Sequence, residues 1–215
     1  TIKQYWTLIP LFGTVLFAAL YFIASLNYPG GSQFNKSAVG FNWANNYWCN
    51  LLDDHAINGH LNTAQPIALT AMLILCFSLI FFWLQFPKYT LLGKYGKLTI
   101  KICGTLAMTS GILLFTNLDH DFITNLASLF GLIAMTGTLF GLHKNGWKML
   151  YYFGLFNLIL VGVNNLLYYN QGLILYLPLV QKITFATFLI WICCIDIKIY
   201  NLIKKTNYSQ RVLSN

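Results

Sequence analysis

Apolar runs of about 20 residues recur along this chain, and that recurrence constrains its fold more than any other feature. A hydrocarbon core about 30 Å thick is crossed by roughly 20 apolar residues in a helix. The runs fall at about Trp6 to Leu26, Gln65 to Phe86, Leu98 to Leu118, Asp121 to His143, Trp147 to Tyr169, and within Gly172 to Tyr200. Only 8% of the 215 residues are charged, none of them glutamate, and 57% are hydrophobic. A soluble domain carries about 25% charged residues. The expected fold is therefore all-α: a polytopic membrane protein, a single domain over 1–215 with six transmembrane helices. The first run follows Lys3 and lacks a convincing small-residue cleavage site, so it reads as an uncleaved first helix. The last stretch would reach roughly 42 Å as a straight helix, so part of Gln171 to Pro178 is expected to be interfacial, or the helix to tilt and bend at Pro178.

Orientation follows from the cations. Lys3, then Lys88, Lys94, Lys97 and Lys101, then Lys144 and Lys148, and finally Lys198, Lys204, Lys205 and Arg211 cluster at alternate ends of the runs. The positive-inside rule makes those ends cytoplasmic, with both termini inside. Membrane topology thus accounts for the net charge of +8, and nucleic acid is not an expected partner. Membrane lipid is, with a homo-oligomer or a membrane-protein partner also open. The long connection from 27 to 64 is expected on the outer side as a folded cap. Tyr28, Phe34, Phe41, Trp43, Tyr47 and Trp48 suit short interfacial helices, and Tyr28-Pro29-Gly30-Gly31 should turn the chain. Cys49 alone among the cysteines lies in a loop, and no disulfide framework or paired-cysteine metal pattern follows.

Four of the five acids and three of the four histidines gather on that outer side. Asp53, Asp54, His55 and His60 form one candidate site. Histidines on a helix bind a metal best at i, i+4, whereas His55 and His60 are five apart with Gly59 between them. The structural alternative is a solvated loop in which an aspartate caps a short helix. Asp119, His120 and Asp121 form a second candidate. Asp121, Asn125 and Ser128 recur at near-helical spacing, a polar stripe expected to face the interior because lipid offers no partners. Acids at a helix start also complement its dipole, which needs no function. Lys182 is the third element, with Gln181, Thr184, Asn157, Asn164 and Asn165. An ammonium at membrane depth needs a partner or must snorkel, and Asp53, Asp54 or Asp121 are the acids within reach. Gly137 to Gly141 is a GxxxG, and Ala107 to Gly111 a pair of small residues, both read as close helix packing. No Walker loop, GxSxG or dinucleotide fingerprint occurs.

The run from Leu26 through Tyr28-Pro29-Gly30-Gly31 to Asp53 and Asp54, with "NTAQPIALTAM" entering the second helix and "HDFITNLASLFGLIAM" the fourth, resembles a six-helix bacterial membrane-protein family of unknown function. That family is distantly similar to the damage-regulated autophagy modulator-like proteins. Tyr28 to Gly31, Asn46 to Trp48 and Asp53 carry the resemblance, while Cys49 to Asp54 replace the family's Ser-Asp-Leu-Gly. The resemblance implies the fold and a bacterial inner-membrane location, and no activity. Together these readings describe a multi-pass inner-membrane protein, non-enzymatic, with an outward-facing polar cavity (Asn125, Ser128, Asn164, Lys182) for a lipid or small amphiphile. A weaker similarity to alkaline-ceramidase-like hydrolases supplies the alternative. There, zinc held by His55, His60 and His120 activates water, with Asp53, Asp54 or Asp121 as the catalytic base. A small transporter is a third reading, opposed by the lack of an inverted repeat.

Overall fold

The computed structural model describes residues 5–113 and 120–213, with the side chains of 120, 121 and 208–213 outside that description. The described chain is helical. Its six long helices are α1 (Ile9–Leu26), α2 (Gln65–Gln85), α3 (Lys94–Leu113), α4 (His120–Lys144), α5 (Lys148–Tyr169) and α6 (Leu177–Leu213). Short 3-10 turns lie at Trp48–Leu51, Phe86–Tyr89 and Ile174–Tyr176. Extended pairing among the described residues is limited to two isolated bridges, Gly30 with Val39 and His55 with Leu61.

Three of the five prolines begin helices. Pro10, Pro66 and Pro178 each occupy the second position of α1, α2 and α6, where an amide hydrogen would have no intrahelical partner. Pro178 therefore starts the last helix and does not bend it; at 37 residues this helix is longer than a span needs and runs on past Tyr200. At the other end of α4, Gly146 adopts φ +70°. The amides of Gly146 and Trp147 bond back to the carbonyls of His143 and Leu142 at 3.0 Å each, a Schellman ending that needs glycine.

Five segments are long and apolar enough to cross a membrane, as an integral membrane protein requires: Ile9–Leu26, Gln65–Tyr89, Phe122–Lys144, Lys148–Tyr169 and Ile174–Asn207. The expected third span is less apolar than these. Its helix begins earlier than the apolar run, taking in Lys94, Lys97 and Lys101, and its described part ends at Leu113. Large apolar side chains stand outward on the five, among them Phe12, Phe77, Phe140 and Ile159. Water would penalise such a surface; acyl chains do not.

The chain divides into two compact units, 1–14 with 74–154 and 190–215, and 15–73 with 155–189. The first has a core of Phe82, Trp83, Phe86, Ile100, Leu142, Trp191, Ile192 and Ile195. Glycines allow its helices to approach closely. A Cβ at Gly104 would overlap the Trp83 ring, one at Gly137 would come within 2.7 Å of Ile100, and one at Gly154 within 2.7 Å of Trp191. A Cβ at Gly141 would come within 3.0 Å of the Thr90 methyl, so both glycines of the GxxxG serve packing. The Asn145 side chain joins the turn after α2 to the end of α4. It donates to the Tyr89 carbonyl and accepts from the Leu91 amide, each at 2.8 Å.

The second unit contains the cap. Gly30 (φ +138°) and Gly31 (φ +83°) make the expected turn, and the Gly31 amide donates to the Ala38 carbonyl at 2.7 Å. A Cβ on Gly31 would lie 2.5 Å from the Asn58 nitrogen, so glycine is required twice over. An aromatic cluster underlies the cap. Trp48 packs with Tyr21 at 4.6 Å between ring centres, with Phe185 at 5.7 Å and with Trp43 at 6.0 Å; Phe41 meets Trp43 at 5.3 Å.

Candidate functional site

The polar centre of the second unit is built on asparagines. Asn46 is fully buried, and its side chain makes three hydrogen bonds. It accepts from the Asn42 amide at 2.9 Å, donates to the Gly31 carbonyl at 2.8 Å, and donates more weakly to Asn50 Oδ1 at 3.4 Å. Asn50 Oδ1 also accepts the Tyr47 amide at 2.8 Å, which caps the 3-10 turn at Trp48–Leu51. Asn62 closes the far end by donating to the carbonyls of Asn50 and Asp53 at 3.1 and 2.8 Å. A short amide side chain has both a donor and an acceptor, so it can substitute for a strand partner in a loop that has none.

Lys182 reaches this network from α6. Only 7% exposed, its ammonium donates to the Asn46 carbonyl and, at 2.8 Å, to the Pro178 carbonyl one turn back. The Phe41 ring centre lies 5.7 Å from the same nitrogen, within cation–π range. Beside it in the chain, Gln181 accepts the Trp48 amide at 3.4 Å. Tyr21 donates to the Trp48 carbonyl at 3.0 Å, and Asn164 bonds Thr184 across α5 and α6. Lys182 and Asn164 are thus in one unit with the cap. An ion pair of Lys182 with Asp53, Asp54 or Asp121 was expected; the hydrogen bonds described for Lys182 go to neutral carbonyls, and the Asp121 side chain lies outside the described residues. The reason is geometric: Asp53 and Asp54 are exposed, and Asp54 accepts a hydrogen bond from Gln65 at 2.6 Å.

His55 and His60 are also exposed, in a turn stabilised by the Ala56 amide donating to the His60 carbonyl at 2.8 Å. Among the described residues no three His, Cys, Asp or Glu side chains assemble as metal ligands. Asp119 and the side chains of His120 and Asp121 lie outside the described residues. Asn125 and Ser128, expected to face inward, are exposed. The buried face of α4 runs instead through Ile123, Ala134, Thr138 and Gly141, because close packing against α3 selects small residues there.

Two groups escaped the sequence reading. One is Asn46, noted there only as part of a resemblance; the density of asparagine at 42, 45, 46, 50, 58 and 62 was the available signal. The other is Asp196. It lies in the first unit, 3% exposed, with no hydrogen-bond partner for one carboxylate oxygen among the described residues. In the cap, surrounding protein and then the Asp53 charge push the Cys49 thiol up to about 11, although the residue as a whole is exposed. Burial likewise raises the Tyr28 hydroxyl, partly offset by the Ile57 amide that donates to it at 3.0 Å. No protein-family model, curated protein or solved structure matches this chain.

Proposed function

We propose that this chain is a non-enzymatic multi-pass protein of a bacterial inner membrane, whose outer-side unit binds the polar head of a lipid or small amphiphile. In this reading α3 is the sixth span, both termini are cytoplasmic, and the cap faces outward. Supporting it are the five apolar helices and the lysines at alternate helix ends. One observation carries the ligand assignment. Lys182 is buried beneath the cap with carbonyls and an aromatic ring as its described partners. Carbonyl dipoles solvate an ammonium without neutralising it, so the site retains a positive charge that favours an anionic head group. Trp43, Trp48 and Phe185 in the same unit offer apolar surface to a chain attached to that head.

A brominated dodecanoate tests this, because bromine quenches nearby tryptophan. Titrating the purified protein in neutral detergent should quench part of the emission saturably. Lys182→Met should abolish the saturable part. Equal quenching in wild type and variant would refute the assignment.

A further inference from the structure

The first unit has a groove of about 600 Å³ between the α4–α5 turn and α6. That volume falls in the range of small-ligand sites. Trp147, Met149 and Phe153 give it apolar walls, and Lys148, Lys198 and Asn201 are its polar lining. No acid lines it. Both lysines are exposed, and Lys198 and Asn201 are three residues apart on α6, hence on one face.

The local sequence explains this concentration of positive charge. The Schellman ending at Gly146 reverses the chain within two residues, so that α5 begins at Lys148. Its first turn, Lys148 to Leu150, lies in the groove wall, which brings the positive end of the α5 dipole to the same place as the two ammonium groups. The groove also sits where an apolar segment begins: the span Lys148–Tyr169 starts at its lip, and a tryptophan precedes it. Tryptophan favours the membrane interface, and a phospholipid at that depth places its phosphate against the lysines and its first methylenes against Met149 and Phe153.

We propose that this groove is a binding site for an anionic phospholipid of the bilayer, with the phosphate held by Lys148, Lys198 and the α5 N-terminus and the acyl chain in the apolar slot. It is separate from the Lys182 site. Each site is tested by its own variants, so either can fail alone.

The test uses the full chain in neutral detergent, with native mass spectrometry counting bound dioleoyl phosphatidylglycerol and dioleoyl phosphatidylcholine. Wild type should retain the anionic lipid at least tenfold more tightly than the zwitterionic one. Measured in a Lys182→Met background, which removes the outer-side site, Lys148→Gln with Lys198→Gln should reduce that preference to less than twofold. Intrinsic-fluorescence melting is expected to match wild type, since both lysines are exposed. If the double variant melts early, the single variants carry the test, each lowering the preference about threefold. An unchanged preference in a folded double variant would overturn the proposal. So would displacement of the lipid by millimolar inorganic phosphate, which would mark a site for free anions.

Discussion

Asn46→Ala is the most informative single change in the cap. It removes all three side-chain hydrogen bonds, two of good length at 2.8 and 2.9 Å and one weak at 3.4 Å. Each good bond contributes about 1 kcal/mol net. The costs are unequal. Asn42 is exposed, so water can satisfy its amide, whereas Gly31 is buried and its carbonyl is left without a partner. An orphaned buried carbonyl costs about 1–3 kcal/mol, which puts the total at about 3 kcal/mol, most of it at Gly31. Hydrogen exchange reads this directly, because the cap amides open locally. The Gly31 amide, bonded to Ala38, should exchange about 100-fold faster in the variant, with the α2 amides unaffected. Asn46→Asp keeps the acceptor for Asn42 and loses both donors, so it should exchange at least as fast as the alanine variant. An acceleration below about fivefold in both variants would show that Asn46 does not hold the cap.

Other predictions address the helices, two buried or shielded groups and the alternative zinc chemistry. Gly154→Val should lower the melting temperature sharply by driving a branched side chain into Trp191 and Leu139; overpacking costs about 1–3 kcal/mol or more, and a melting point within 1 °C of wild type would refute the contact. Asp196→Leu should leave stability unchanged or raise it by about 1–3 kcal/mol, since it replaces a poorly satisfied buried carboxyl with an apolar group; chemical denaturation showing a clear loss would mean that Asp196 has a partner that matters. Because the Cys49 thiol is pushed up to about 11 from 9.0, the reactive thiolate is depleted about 100-fold at pH 8, and iodoacetamide should modify it far more slowly than a free thiol, speeding up through pH 10. Rapid modification at pH 7 would contradict the assigned environment. Alanine at His55 and His60 should change the unfolding free energy by less than about 0.5 kcal/mol, since both are exposed; a large loss, restored by added zinc, would favour the hydrolase reading.

The helices were legible because length and apolarity report directly on the solvent that a segment can occupy. Helix α3 was the weakest case for the same reason, since its glycines, threonines and lysines dilute the signal. The GxxxG at Gly137 was read correctly as packing, but Asn125 and Ser128, expected to face inward, are exposed. Helical spacing shows which residues share a face, and only the neighbouring helix decides which face is turned in. On α4 the small side chains win that position, because Ile100 and the turn at 86–92 press close. The cap shows the complementary gap. Its aromatics and its glycine turn were plain in the sequence, whereas the value of Asn46 depends on Gly31, 15 residues away, and on Lys182, 136 residues away. The lysine was singled out as needing a partner, and a carbonyl met that need where an acid was expected.

Everything in the functional account depends on the cap and the chain ends facing opposite sides of a membrane. Single cysteines at Lys36 and at Lys205, each in a background in which all five native cysteines are serine, can be exposed to an impermeant maleimide in intact cells. The account predicts that Lys36→Cys is labelled at once and Lys205→Cys only after the membrane is permeabilised. Equal labelling of both in intact cells would contradict it.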